Sequence, residues 1–88
     1  MILTQPVKRL TEAVCKKIGV EPWKLGGGGK VPPVLRAREG VSYLWVKKLG
    51  RSGGELARAT GMKPGTVYES MVRGEKNANA WEEILETL

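Results

Sequence analysis

Apolar residues recur every three or four positions along several stretches of this chain, with charged residues between them. This spacing places the apolar side chains on one face of a helix and predicts amphipathic helices rather than strands. The first such helix runs from Pro6 to about Gly19, and its apolar residues are Val7, Leu10, Val14 and Ile18. There is no internal repeat or alternating pattern, so the sequence predicts an all-α bundle of four to five helices in one domain, residues 1–88.

Two longer helices follow the same pattern further along the chain. One starts at Pro32-Pro33, and its apolar stripe comprises Leu35, Val41, Leu44, Trp45 and Leu49. A final helix is capped by Asn77 to Asn79 and carries Trp81, Ile84, Leu85 and Leu88. The apolar side of this final helix could lie in the core or could contact another protein. The outer side of the helix is acidic.

A short segment between the first two helices predicts a turn and a connector. Glu21-Pro22-Trp23-Lys24-Leu25 predicts a turn of helix in which Trp23 and Leu25 cover the edge of the core. Gly26 to Gly29 then predict a break in regular structure before Lys30. A glycine run before a lysine is typical of phosphate-binding loops, but no strand precedes these glycines. We therefore interpret the segment as a flexible connector that carries one basic side chain.

Residues 52–73 have the sequence pattern of a helix-turn-helix. Ser52 followed by Glu55 predicts a capping box, in which each side chain satisfies a free amide at the start of a helix. Gly61 can adopt the left-handed conformation that ends this helix. Pro64 suits the first turn of the next helix, where its missing amide hydrogen costs nothing.

The spacing of two apolar residues supports the same motif. Ala57 is small where the second helix must cross closely, and Val67 follows ten residues later as the inner anchor of that helix. An ordinary helical hairpin with a left-handed turn is the alternative interpretation.

Composition limits the classes of function. The net charge is +6, with no histidine and one cysteine, Cys15. Residues 1–51 hold 11 basic and 3 acidic side chains, whereas residues 52–88 hold 4 and 6. A basic chain favours polyanionic partners, and the missing histidines remove the usual metal and acid-base sites. Because neither a membrane-spanning run nor a signal peptide is visible, we expect a cytoplasmic protein. Because the usual metal and acid-base sites are missing, we also expect a non-enzymatic protein without cofactor or metal.

Several positions between about residue 10 and residue 75 resemble the C-terminal DNA-binding domain of DnaA, the bacterial replication initiator. The resemblance rests on Leu25, Lys30, Arg36-Ala37-Arg38, Tyr43-Leu44, Ser52, Glu55-Leu56-Ala57, Gly61 and Thr66-Val67. It implies a Trp-repressor-like helix-turn-helix preceded by a helix and a basic loop. Lys30 matches a loop position that touches phosphate in that family.

The chain departs from DnaA at the residues that read the DNA sequence. Where that family has an Arg-Asp-His-Thr-Thr motif, this chain has Lys63-Pro64-Gly65-Thr66 and is one residue shorter. We therefore do not expect binding to the DnaA box. A closer resemblance is to the DnaA-like tail of tyrosine-nuclease transposases, and it rests on Ala37-Arg38, Tyr43-Leu44, Glu55-Leu56-Ala57-Arg58, Gly61-Met62 and Val72-Arg73-Gly74-Glu75.

These observations predict double-stranded DNA as the partner, with a reading helix from about Pro64 to Arg73 entering the major groove. The expected base-reading residues are Lys63, Gly65, Thr66, Tyr68 and Glu69. The expected phosphate contacts are Lys30, Arg36, Arg38, Arg51, Ser52 and Arg73. Six phosphate contacts imply a log-log dependence of affinity on salt with a slope of about −5.

The sequence leaves two questions of partnership open. A homo-oligomer, or attachment to a larger parent protein, is compatible with the pattern. The alternative function is a helical protein-interaction or oligomerisation module without DNA readout, which would use the apolar side of the final helix.

Overall fold

The computed structural model describes residues 4–27 and 29–87, with side chains from residue 7 onward. This part of the chain is all-α, as predicted. The α-helices are α1 (Thr4–Ile18), α2 (Lys24–Gly27), α3 (Pro32–Ser42), α4 (Gly53–Thr60), α5 (Pro64–Gly74) and α6 (Ala78–Glu86). A π-helical segment, Tyr43–Lys48, continues α3, and a 3₁₀ turn, Glu75–Asn77, joins α5 to α6. None of the helices in the described residues is both long and apolar enough to cross a bilayer.

The core is built from residues of all six α-helices and of the π-helical segment. Helix α1 contributes the predicted Val7, Leu10 and Val14, while Ile18 is only half-buried. Cys15 is also buried there, and desolvation raises the pKa of its thiol to about 11. It therefore serves as an apolar filler of the core.

The apolar stripe of α3 agrees with the sequence prediction in its middle and differs at its ends. Leu35 is half-buried and Leu49 is 41% exposed. The backbone switches to π-helical geometry at Tyr43, which changes the direction of every later side chain by a part of a turn. A stripe counted at regular α-helical spacing across this switch is consequently wrong at Leu49. The buried residues of this stretch include Val34, Ala37, Val41, Leu44 and Trp45.

Trp45 belongs to the core, as the sequence predicts. It is fully buried, and its indole N–H donates a hydrogen bond of 2.8 Å to the carbonyl oxygen of Ser52. This bond connects the π-helical segment to the first residue before α4. The buried ring thus fixes where α4 begins.

Trp23 contradicts the sequence prediction. The turn before α2 buries Leu25 fully but leaves Trp23 68% exposed, so only Leu25 covers the core edge. The following glycines also depart from a simple break, because α2 continues to Gly27 and Gly29 adopts a positive φ of 78°.

Helix α6 packs against α3 through Trp81. Trp81 and Ile84 are buried, Leu85 is half-buried, and the prediction for Leu88 falls outside the described residues. Gly40 lies under the ring of Trp81, where a Cβ would come within 2.7 Å of the indole. The predicted asparagine cap is not formed, since Asn77 makes no side-chain cap hydrogen bond. The predicted core role of the α6 apolar side is confirmed for Trp81 and Ile84.

Candidate nucleic-acid interface

Helices α4 and α5 form a braced pair joined by a three-residue turn. Ser52 caps α4 as predicted, because its hydroxyl oxygen accepts hydrogen bonds from the amides of Gly54 (3.1 Å) and Glu55 (3.4 Å). Within the described chain, the Glu55 carboxylate forms no return bond to the Ser52 amide, so only half of the predicted capping box is present. Gly61 ends α4 with a φ of 83°, as predicted.

The inner side of α5 packs most extensively against α3. Val67 is fully buried, and the small Ala57 on α4 is 5% exposed, as the predicted close crossing requires. Gly74 also faces inward, where a Cβ would lie 2.5 Å from the carbonyl oxygen of Glu39. Gly74 has a right-handed φ of −65°, so it permits close approach of α5 to α3 and does not stop the helix through a left-handed turn.

The outer side of α5 presents most of the predicted base-reading residues to solvent. Lys63, Gly65, Tyr68 and Glu69 are exposed, and Thr66 is half-buried at the edge of the same surface. We call these five residues the α5 face. A Cβ built on Gly65 would meet no protein atom within 4 Å, so this part of α5 is open to close approach.

The N-terminus of α5 differs from that of α4. Lys63 stands at the cap position with extended backbone, φ −77° and ψ 145°, and its side chain does not cap the helix. Pro64 has no amide hydrogen, and the Val67 amide bonds to the carbonyl oxygen of Lys63. The amides of Gly65 and Thr66 are therefore the free donors at this helix end. They point out of the N-terminus of α5, where they favour the binding of an anion.

Tyr68 connects α5 to the start of α4. A Cβ on Gly53 would lie 2.8 Å from the Tyr68 hydroxyl oxygen, so the phenol ring rests over the first residue of α4. The side chain is nevertheless 47% exposed. Tyr68 is therefore both supported by α4 and accessible from outside.

The connector before α3 packs against the turn between α4 and α5. A Cβ on Gly26 would overlap the carbonyl oxygen of Thr60 and lie 3.0 Å from the Cα of Gly61. Lys30, four residues further along, is exposed. The structure thus places Gly26, four residues before Lys30, beside the turn that leads into α5.

The predicted phosphate-binding arginines occupy different environments. Arg36 and Arg73 are exposed. Arg38 is half-buried, and its Nε donates a hydrogen bond of 2.9 Å to the carbonyl oxygen of Leu25, which fastens α2 to α3. The guanidinium of Arg51 lies 5.5 Å from the centre of the Trp45 ring, a cation–π distance. Arg38 is therefore partly committed to holding the fold.

Acidic side chains of the C-terminal part are paired with lysines of the π-helical segment. Lys47 lies 3.5 Å from Glu75, and Lys48 lies 3.5 Å from Glu82. Glu82 also accepts a hydrogen bond of 2.9 Å from the Tyr43 hydroxyl. Burial and this bond raise the pKa of Tyr43. Lys47 and Lys48 are thus partly neutralised within the protein.

Sequence reasoning missed one exposed apolar residue on α5. Val72 is 55% exposed and lies one helical turn after Tyr68. The spacing of four from Tyr68 could have identified it, because residues at i and i+4 share a helix face. Val72 extends the exposed surface of α5 with an aliphatic group.

Comparison with known proteins gives no match: no protein-family model, no curated protein and no solved structure is significantly similar to the chain.

Proposed function

We propose that this chain binds double-stranded DNA, with α4 and α5 acting as a helix-turn-helix and α5 entering the major groove by its N-terminal end. The observation that carries the proposal is the α5 face, which is directed outward while the opposite side of α5 is locked against α3. In a helix-turn-helix, the side chains that read bases project outward from a recognition helix that the rest of the fold holds in place. Helix α5 meets both conditions.

The α5 face offers distinct chemistry for base edges. Lys63 can donate to the N7 and O6 acceptors of guanine, and Glu69 can accept from the N4 amino group of cytosine. Tyr68 can contact a thymine methyl group or a phosphate. Gly65 adds no sequence information, but its open surroundings let a groove wall approach the helix.

We assign the phosphate contacts to exposed cations and a hydroxyl outside this face. Lys30 lies on the segment anchored beside the turn, while Arg36, Arg51 and Arg73 are exposed cations. The hydroxyl of Ser52 accepts the two cap bonds and keeps its proton for donation. Such contacts set the register of a protein on DNA without reading its sequence.

The resemblance to the DnaA C-terminal domain, and to the DnaA-like tail of tyrosine-nuclease transposases, agrees with this role. On that basis we propose a bacterial, cytoplasmic DNA-binding tail or a free-standing relative, without catalytic activity of its own. The alternative role in protein docking would use the apolar side of α6. Trp81 and Ile84 of that side lie in the core, so little of their apolar surface is accessible to another protein.

The proposal is tested by fluorescence anisotropy with a labelled duplex across a salt series. Lys30, Arg36, Arg51, Lys63 and Arg73 are the five exposed cations assigned to DNA, and they predict a log-log slope of about −4.5. Lys30→Ala should reduce the slope by about one. Lys48→Ala is the charge-matched control, because Lys48 already pairs with Glu82. Absence of binding at low salt, or equal effects of both variants, would contradict the proposal.

A further inference from the structure

Trp23 is exposed to solvent, and it is not among the residues that contact the duplex in the proposed complex. Trp23 is 68% exposed, whereas Trp45 and Trp81 are almost completely buried. Exposed aromatic side chains are enriched where proteins bind partners.

The Trp23 side chain is held in position rather than left free. Its indole N–H donates a hydrogen bond to the Glu21 carboxylate, and the Lys24 ammonium lies 5.6 Å from the ring centre. The backbone beneath is fixed by hydrogen bonds from Lys24 to Glu21 (3.0 Å) and from Leu25 to Pro22 (3.1 Å). A ring fixed before binding loses little conformational entropy when a ligand stacks on it.

The charge around Trp23 favours a polyanion as the ligand. Residues 19–38 contain Lys24, Lys30, Arg36 and Arg38 against the single acid Glu21. Gly26, three residues after Trp23, packs against the turn before α5, so the segment that carries Trp23 is joined to the proposed DNA-binding elements at that point. Aromatic rings beside cations form the usual platform for single-stranded nucleic acids.

We propose that Trp23 and Lys24 form a stacking site for an unpaired nucleotide adjoining the duplex, with the indole contacting the base and the ammonium the phosphate. An intact duplex cannot fill this site, because both faces of each internal base are already stacked on neighbouring pairs. This inference rests on the proposed DNA-binding function and extends it to a junction between duplex and single strand.

The test compares three DNA probes: a blunt duplex, the same duplex with a four-thymidine extension at either end, and that duplex with an abasic extension. One stacked base should tighten binding of the wild-type protein about tenfold. The abasic extension should give only the smaller gain from the phosphate contact of Lys24, because it supplies the same phosphates without a base. Trp23→Ala should show only this smaller gain with either extension, whereas Val31→Ala, which removes another exposed apolar side chain of the segment, should keep the full gain.

Fluorescence gives an independent measurement, because solvent-accessible emission from the described tryptophans comes from Trp23. Oligothymidylate should quench this emission and protect it from acrylamide. Equal gains from thymidine and abasic extensions, or an undiminished gain in Trp23→Ala, would overturn the stacking site while leaving duplex binding intact. Quenching by oligothymidylate without binding to any duplex would instead overturn the proposed function and keep the stacking site.

Discussion

Gly26 of α2 lies backbone to backbone against Gly61, the left-handed residue that ends α4. A Cβ on Gly26 would lie 3.0 Å from the Gly61 Cα, whereas a Cβ on Gly61 would lie 3.5 Å from the Gly26 Cα. Only the first distance is too short for an ordinary contact. Gly26 is therefore the residue that lets the Lys30 segment sit beside the turn leading into α5.

Gly26→Ala should destabilise the protein by about 1–3 kcal/mol, because the added methyl group has only backbone atoms to displace. It should also weaken duplex binding severalfold as the Lys30 segment moves away. Urea denaturation and anisotropy measure the two effects. Gly27→Ala is the matched control, since a Cβ there meets no atom within 4 Å. Similar behaviour of both variants would show that the close approach is unimportant.

Gly53→Ala should displace the Tyr68 phenol without unfolding the protein. A Cβ at this position would come within 2.8 Å of the outer ring atoms of Tyr68, which can swing away. We expect nearly unchanged stability and an altered preference for the base pair that Tyr68 contacts. Binding of a set of duplexes with single base changes would detect this, and an unaltered preference would remove Tyr68 from the α5 face as a reader.

Two substitutions at Ser52 should separate helix capping from DNA binding. Ser52→Ala removes the acceptor for the Gly54 and Glu55 amides and should cost about 1 kcal/mol of stability. Ser52→Asp keeps an acceptor, so its stability should resemble that of the wild type, but its negative charge should weaken duplex binding by repelling phosphate. If Ser52→Asp binds duplex as well as wild type does, then Ser52 does not lie near the DNA.

The Cys15 thiol should make stability depend on alkaline pH. Burial raises its pKa from 9.0 to about 11, so between these values the unfolded chain loses the thiol proton while the folded protein keeps it. The free energy of unfolding should therefore fall as pH rises, by ~2 kcal/mol at about pH 10.5 from this group. Urea denaturation of wild type and Cys15→Ala at pH 8 and pH 10.5 isolates the contribution, because Tyr43 affects both proteins alike.

In native conditions Cys15 should resist thiol reagents and react only after unfolding, since it is 1% exposed. Rapid labelling of the folded protein would contradict this burial. A pH dependence that is the same in Cys15→Ala would show that the raised pKa contributes nothing to stability.

Local sequence patterns were sufficient for much of this fold. The Ser52 cap, the Gly61 turn and the buried Val67 follow from preferences of residues that are neighbours in the chain, and all three are present. The same features predict the residues of the α5 face. Local rules therefore predict the helix pair well.

Features that depend on contacts between distant residues were missed. The π-helical geometry from Tyr43 places Trp45 against Ser52 and leaves Leu49 exposed. Gly74 at the end of α5 lets this helix approach the carbonyl oxygen of Glu39 on α3, which is distant in the chain. Neither spacing nor propensity along the chain encodes these partners, so the structure was needed to find them.

The central claim is that α5 reads DNA sequence while Lys30 only holds phosphate. The most direct test is to bind a randomised duplex pool, sequence the bound fraction, and repeat the selection with Lys63→Ala and Lys30→Ala. We predict an enriched motif that loses preference at one or two positions in Lys63→Ala and is retained, with weaker binding to every sequence, in Lys30→Ala. No enriched motif from the wild-type protein, or identical changes in both variants, would contradict the account.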